Sequence, residues 1–350
     1  MTTHNIVSVS GGKDSTATLL LAIALEVPNL RAVFADTGHE HPETYDYVNY
    51  LSQATGVPIK WVKADFTERL AAQRSRLQRF VDGEIDTRGK YRWTPERARR
   101  AIELLQPTGN PFLDLCLSRG AFPSTRRRFC TDELKRDPLI EQVFLPLRGQ
   151  GEMILSWQGI RLDESESRRI RLQGTGAFPI TTDEVGGGLF NYRPILRWTV
   201  ADVFEAHKLF GIKPNPLYVQ GCGRVGCMPC VNVSKGELRE IGSRFPDQIA
   251  RVREWEAMVS EASKAGASTF LPAVTDPVIK AAIKAAKKDG QTFVIDTAQH
   301  GIDRMVEWAN TNRGGRQFDV ESLIVDLKTC SSSYGLCDSS WEPVKLMEAA

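Results

Sequence analysis

With 350 residues and 41% hydrophobic content, the chain is long enough for one large α/β domain with a substantial appendage, or for two domains, and too apolar for a disordered chain. Lys and Arg total 45 and Asp and Glu 43, a net charge of +2, so overall charge does not announce nucleic-acid binding and local clusters must carry any such role. There is no apolar run of about 18 residues and no leader-like pattern at Met1-Thr2-Thr3-His4, so no membrane partner is expected and the cytoplasm is the expected compartment.

The first apolar run, 5–9, reads as a strand that enters Ser10-Gly11-Gly12-Lys13-Asp14-Ser15 and then a helix over 17–25. A β-branched run, a small flexible turn and a helix start is the geometry in which backbone N–H groups converge on a phosphate. Ser10, Gly11 and Gly12 leave room for close approach, while Lys13 and Ser15 supply a charge and a hydroxyl. The Walker pattern G-x-x-x-x-G-K-[ST] fails here. A second strand at 30–35 ends on Asp36, a turn rich in Gly, His and Pro follows, and then a helix from Glu43 to about Thr55 and a third strand at 58–62. Strands alternating with helices predict a parallel sheet flanked by helices, with its site at the carboxyl ends of the strands.

Residues 66–109 read as helical and Arg-rich, with Thr94-Pro95-Glu96 as a helix start, and 152–157 as a strand running into Gly159-Ile160-Arg161. A further strand is expected at 190–195 and a helix from 199 to 210 opened by Thr199 and Asp202. Beyond 233 the texture turns helical, with helices at 246–265, 277–288 and 302–309 and strand signal only at Phe293-Val294-Ile295 and 323–327. The expected organisation is a nucleotide-handling α/β domain over 1–235 and a mostly helical region over 236–350.

The Ser10-to-Ser15 string resembles the PP-loop of the ATP pyrophosphatase superfamily, and Asp36-Thr37-Gly38 followed by Pro42-Glu43-Thr44 resembles the signature of its phosphoadenosine phosphosulfate (PAPS) reductase branch. That resemblance implies a PP-loop, adenine nucleotide alpha hydrolase-like fold, with Asp36 and Thr37 near the adenosine. Asp14 is a second candidate, as a contact for Mg²⁺ beside ATP. His39 and His41 form a weaker H-x-H candidate for a metal. Gly159-Ile160-Arg161-Leu162-Asp163-Glu164-Ser165-Glu166-Ser167-Arg168 resembles the family block G-x-R-x-D-[EQ]-S-x-x-R, which implies Arg161, Asp163, Ser165 and Arg168 around the nucleotide and its anion. Arg161, with its planar fork, is expected to clasp phosphate or sulfate. Lys13, Asp14 and Arg161 are the expected catalytic residues.

The seven cysteines, at 116, 130, 222, 227, 230, 330 and 337, are an odd count that argues against a disulfide framework. Cys222, Cys227 and Cys230 form C-x₄-C-x₂-C, open to readings as a metal site or a redox dithiol. Cys130 lies in a segment resembling the family's C-[CT]-x-x-[RL]-K-x-x-P-L, and Asn215-Pro216-Leu217-Tyr218 leads into one resembling its N-P-L-Y…G-C-x-x-C. Phe129 replaces one cysteine of the family's adjacent pair and Cys222 is gained, an arrangement similar to the DNA phosphorothioation branch. By that resemblance Cys130, Cys222, Cys227 and Cys230 hold a [4Fe–4S] cluster.

The leading expectation is therefore an ATP-using enzyme that adenylylates an acceptor, DNA, tRNA or a small molecule, and inserts sulfur from a cysteine desulfurase or other donor. Arg97-Arg99-Arg100, Arg126-Arg127-Arg128 and Arg168-Arg169-Arg171 are the candidate patches for a phosphate backbone, with Tyr91 and Trp93 as candidate stacking rings. The alternatives are a sulfonucleotide reductase that releases sulfite with thioredoxin as donor, an ATP sulfurylase small subunit, and a nucleic-acid-binding protein on an inactive PP-loop fold. The reductase tail motif E-C-G-L-H is absent, and Cys337 is only a faint echo of it. A homodimer is a further expectation.

Overall fold

A computed structural model describes residues 2–86, 93–172, 174–178, 180–182, 184–291 and 293–311. Its centre is the strand Thr3–Val9 (β1), buried on both faces as the middle of a parallel sheet requires. Alternate residues feed opposite cores: Val7 and Val9 pack with Leu19, Leu20, Leu51 and Trp157 on one face, while Ile6 packs with Val33, Val62, Phe144 and Ile154 on the other. Each such buried aliphatic side chain contributes about 1.5–3 kcal/mol, so the two faces together fix the strand.

Leu30–Asp36 (β2), Ile59–Lys63 (β3), Met153–Trp157 (β4), Ile180–Thr182 (β5) and Leu189–Tyr192 (β6) complete a six-stranded sheet in the order β3-β2-β1-β4-β6-β5. All neighbours run parallel except β5, which returns antiparallel to β6. Val9 lies opposite Phe34 and Val7 opposite Trp157, so β1, β2 and β4 end together. The chain leaves β1 toward β2 on one side and returns to β4 on the other, and this reversal opens a crevice at their carboxyl ends.

The crossovers are Lys13–Ala24 (α1) and Pro42–Thr55 (α2), followed by Thr67–Val81 (α3), Pro95–Leu104 (α4) and Pro111–Arg119 (α5). Residues 129–149 form one continuous helical run with π-helical turns at Asp132–Arg136 and Ile140–Phe144. The expected helical texture of 66–109 thus resolves into α3 and α4, and Thr94 caps α4 by accepting the Arg97 N–H at 3.4 Å. Beyond 234 come Lys235–Arg244, Pro246–Ala262, Pro277–Lys288 and Ile302–Ala309, the expected helical region. Its core is shared with the preceding part: Leu70, Leu105, Phe112 and Leu217 lie in one cluster with Leu238, Val252, Trp255, Phe270 and Met305.

Phe293-Val294-Ile295 corrects one expectation. These residues join no strand, and Val294 is 77% exposed, because an apolar triplet forms β structure only where a sheet edge is at hand to pair with it. The segment 323–327, Tyr91, Cys330 and Cys337 lie outside the described residues. Among the described residues no helix is long and apolar enough to cross a membrane.

Candidate nucleotide and thiol site

The turn after β1 is shaped by absences of side chain. Gly11 has φ +72°, and a Cβ there would meet Thr44 Cγ2 at 2.7 Å. Gly12 occupies the cap position of α1 and brings no side-chain cap, which leaves the helix start to a ligand. Ser15 closes the turn, its Oγ accepting the Ser10 N–H at 3.0 Å and donating to the Gly12 carbonyl at 2.9 Å. Gly159, at the exit of β4, lies so close to α1 that a Cβ would stand 2.9 Å from the Asp14 carbonyl carbon and the Ser15 nitrogen.

Residues some two hundred positions later support the turn from behind. The Lys13 N–H donates to Tyr218 Oη at 2.9 Å, His207 Nε2–H donates to the Lys13 carbonyl at 3.0 Å, and Asn215 Nδ2 donates to the Gly11 carbonyl at 3.1 Å. Lys13 Nζ lies 5.3 Å from the centre of the Tyr218 ring and 3.4 Å from Asp14 Oδ2. In the sequence, Asn215 and Tyr218 stand in a family-like segment with no role attached, and nothing in the spacing of residues points to His207.

Arg161 is held inside the protein. It is 1% exposed, and its guanidinium is spent on the protein: Nε pairs with Asp14 Oδ1, and Nη1 reaches Asp163 Oδ2 and the Trp198 carbonyl, both at 3.2 Å. Buried this way, Arg161 orients Asp14. Asp14 in turn has one oxygen on Arg161 and the other facing Lys13. Ser165 Oγ accepts the Arg168 N–H at 3.3 Å, and Arg168 pairs with Glu164. The second block is therefore brought to the loop, with its first arginine buried against Asp14.

The turn after β2 is a hydrogen-bonded knot. Asp36 Oδ1 accepts the Gly38 N–H at 2.9 Å and the Tyr45 hydroxyl at 3.0 Å. Buried Thr37 donates its hydroxyl to both oxygens of buried Glu40, at 2.8 and 2.7 Å. Burial, then Glu40 and Asp36, push the Tyr45 phenol upward, so it stays a donor.

From this knot hangs the thiol loop. Glu40 forms an antiparallel bridge with Cys227, and the Met228 N–H donates to the His39 carbonyl at 2.8 Å. His39 is fully buried. Its Nε2–H donates to the Pro229 carbonyl at 2.8 Å and its Nδ1 accepts from Arg251 at 3.3 Å, while its ring stacks on Phe112 at 4.3 Å. Burial and then Arg251 hold its pKa well below the usual histidine range, so it is neutral. His41 caps α2, its Nδ1 accepting the Glu43 N–H at 3.3 Å. The H-x-H pair is thereby explained as an anchor and a cap, with both His39 nitrogens engaged and unavailable to a metal.

Cys222, Cys227 and Cys230 line a cavity of about 170 Å³. Cys227 Sγ lies 3.7 Å from Thr37 Oγ1 and 3.8 Å from Glu40 Oε1, and burial pushes its thiol up to about 12 although Lys135 opposes the shift. Lys135 is itself raised, first by Cys227 against burial, then by Glu40, Cys230 and Cys130, so one ammonium serves three thiols. Cys130 is raised by burial and then by Cys230. The Cys222 thiol, pushed up to about 12 by burial and then by Glu237, faces the helix Lys235–Arg244. Among the described residues no three His, Cys, Asp or Glu side chains are gathered closely enough to hold one metal ion.

Of the arginine patches, Arg97 donates to the Ser263 carbonyl at 2.7 Å and Arg100 makes an exposed ion pair with Glu261 at 2.8 Å. Trp93 is half-buried and packs against the helical core, with Arg97 5.5 Å from its ring.

A glycine turn at the switch of a parallel sheet, with a thiol loop bridged to the neighbouring strand exit, defines a nucleotide-fold protein equipped with cysteines. The chain belongs to the phosphoadenosine phosphosulfate reductase domain family, whose match covers residues 4–233. It is 45% identical over 341 residues to the uncharacterized 37.8 kDa protein in the gpa 5' region of Escherichia phage 186, covering 96% of this chain and 97% of that protein. A shorter similarity, 42% over 56 residues, joins it to the adenosine 5'-phosphosulfate reductase of Burkholderia cepacia, over 16% of this chain and 22% of that enzyme. Among solved structures, the PAPS reductase of Candida auris in its phosphate complex aligns with 65% of this chain and 82% of its own, at 15% identity and a TM-score of 0.35.

Proposed function

We propose that the protein binds an adenosine 5'-phosphosulfate, with or without a 3'-phosphate, and reduces it to sulfite and the parent nucleotide. The observation that carries this reading is the bridge between Glu40 and Cys227, which keeps the thiol loop beside Asp36 and Thr37 at the same sheet end as the Lys13 turn. Family membership and the Burkholderia cepacia similarity support the same substrate class. In this reading the backbone of the 10–15 turn and Lys13 hold the 5'-phosphoryl oxygens. A thiolate attacks the sulfur, the bond from sulfur to the phosphate oxygen breaks, and the nucleotide leaves with the electron pair. A second thiol then displaces sulfite from the S-sulfocysteine, so that two thiols are oxidised to a disulfide as the sulfuryl group is reduced, and an external dithiol of the thioredoxin kind restores them. Cys227 and Cys230, both half-buried and lining the cavity of the thiol loop with two residues between them, are the described thiols placed to attack and to resolve.

The test is to incubate reduced protein with each sulfonucleotide and an excess dithiol and to measure sulfite and nucleotide together. Stoichiometric release of both is expected, and its absence with both substrates defeats the reading. A second reading, ATP cleavage to AMP and pyrophosphate for sulfur insertion, is favoured by Lys13 and Asp14, which are both present in the turn and paired with each other. The same protein given ATP separates the two. A [4Fe–4S] cluster on Cys130, Cys222, Cys227 and Cys230 remains a separate proposal supported by donor chemistry, and iron and sulfide content of anaerobically purified protein decides it.

A further inference from the structure

Six arginines around this site have no ion pair among the described residues: Arg126, Arg127 and Arg128 ahead of Cys130, Arg171 on the helix Glu166–Leu172, Arg193 just past β6, and Arg224 in the thiol loop. All but half-buried Arg193 are exposed. The acids nearby are already spent, Asp14 and Asp163 on Arg161, Glu164 on Arg168 and Glu166 on Arg169. The chain as a whole carries only +2, so this positive band is a local concentration. We propose that the band is a binding surface for the phosphate backbone of a single-stranded nucleic acid, laid across the mouth of the nucleotide site and over the thiol loop.

Three features support an extended polyanion. First, the guanidiniums share one stretch of surface: Arg171 lies on the same helix as Arg168, Arg193 sits just past β6, and Arg224 and Arg171 both act on Arg168. Arg168 is paired with Glu164, whereas Arg171, Arg193 and Arg224 have no carboxylate partner among the described residues and are stabilised when phosphates neutralise them. Second, the cations flank the thiol loop from two directions. Arg224 belongs to the loop itself, and Arg126, Arg127 and Arg128 precede Cys130, which lies within the field of Cys230. A mononucleotide needs only the Lys13 turn and one neighbour, whereas cations on four separate segments match a chain of phosphates. Third, the band carries an apolar partner for bases. Phe178 is 82% exposed and Ile170 62%, and the Arg193 N–H donates to the Ala177 carbonyl at 3.4 Å, which sets Phe178 one residue from the backbone contact of Arg193. Exposed aromatic rings beside backbone-binding arginines are how bases are stacked without sequence preference. The proposal is independent of the sulfonucleotide reading.

The experiment is fluorescence anisotropy of labelled single-stranded DNA and RNA oligonucleotides of one sequence, titrated with the full chain at several salt concentrations. Binding is expected for at least one of the two, and comparing them identifies the sugar preferred. The slope of log K against log salt shrinks by about 0.7 for each phosphate that a removed cation no longer neutralises. The triple change Arg171→Gln, Arg193→Gln and Arg224→Gln should therefore flatten it by about 2, with Arg126→Gln, Arg127→Gln and Arg128→Gln having a similar effect. Phe178→Ala should weaken binding by about 5- to 150-fold with the salt slope unchanged. Lys13→Ala, which tests the nucleotide reading, should leave oligonucleotide affinity as it was, so the two ideas fail separately. The proposal is overturned by absence of binding to both oligonucleotides at 50 mM salt, roughly the low-salt regime where backbone contacts are strongest. It is equally overturned by an unchanged slope in the folded triple variants, or by polyglutamate of equal charge displacing the oligonucleotide as well as unlabelled oligonucleotide does.

Discussion

The phosphate turn and the thiol loop face the same crevice but are built in opposite ways. The turn is local: Gly11, Gly12 and Ser15 shape it within a few residues of β1, and remote side chains only brace it from behind. The thiol loop has no such internal frame. It is held by the bridge to Glu40 and by the adjacent His39, both on the turn after β2, and by Arg251 on the helix Pro246–Ala262. Short-range backbone geometry can thus be read from a string of residues, whereas a loop suspended from tertiary contacts cannot. Changes at the turn should therefore remove chemistry and spare the fold, and changes at the anchor of the loop should do the reverse.

The largest effect is expected at Lys13. It supplies the charge of the turn, while its backbone N–H and carbonyl, not its ammonium, make the hydrogen bonds with Tyr218 and His207. Lys13→Ala should lower turnover of the true nucleotide substrate by about 10²- to 10³-fold. The midpoint of urea unfolding should move little. A variant that unfolds early would place the lysine in the fold and erase the contrast.

His39→Ala should show the reverse signature. It removes a fully buried ring stacked on Phe112 and leaves Arg251 and the Pro229 carbonyl short of a partner. The expected cost is about 3–5 kcal/mol from the cavity and the unmade hydrogen bonds, seen in equilibrium unfolding. Nucleotide affinity of the fraction still folded should stay close to normal.

These contrasts explain what was legible beforehand. β1 to β4 and β6, the 10–15 turn, Asp36 and the second block at 159–168 lie on contiguous strings whose residue types specify local geometry, whereas the short edge strand β5 was not legible and the apolar triplet at 293–295 forms no strand. His39 was not legible. Its spacing from His41 resembles a metal pair, and only the packing of Phe112, Trp255 and Phe270 around it reveals a core anchor. The pairing of Arg161 was hidden for a related reason: a guanidinium after a strand end suits an anion, and only the fold shows it buried beside Asp14. The partners of the turn at 207, 215 and 218 are invisible to any argument from local spacing.

Glu256 extends the comparison to pH. It is 1% exposed and accepts the Phe270 N–H at 2.7 Å and the Ile302 N–H at 2.8 Å, and Phe270 in turn packs against His39. Burial, outweighing those two N–H donors, raises its carboxyl from 4.5 to about 7. The folded state therefore binds the proton more tightly than the unfolded one. The resulting stability is fully present below the unfolded value of 4.5 and is lost as pH rises through about 7. Across that window this group alone should remove about 3 kcal/mol. Unfolding free energies at pH 5 and pH 8 should differ less in Glu256→Gln than in the parent. An equal difference would assign the pH dependence elsewhere.

The smallest effect is expected at Tyr218, where turn and loop meet. Its hydroxyl accepts the Lys13 N–H, its ring lies beside Lys13 Nζ, and it stands on the segment that leads into Cys222. Tyr218→Phe keeps the ring and the packing, so the lysine stays oriented, but it strips one buried N–H of its acceptor. Leaving such a donor unmet costs about 1–2 kcal/mol in the free protein. A bound phosphate can take over that N–H, so the penalty shrinks in the complex. Tyr218→Phe should therefore lower the stability of the free protein by about that amount while leaving nucleotide affinity unchanged or slightly tightened. Calorimetric unfolding with and without nucleotide, combined with a binding titration, measures both quantities. A loss of affinity as large as that of Lys13→Ala would mean that the hydroxyl itself orders the ligand, and the brace could then no longer be separated from the turn it supports.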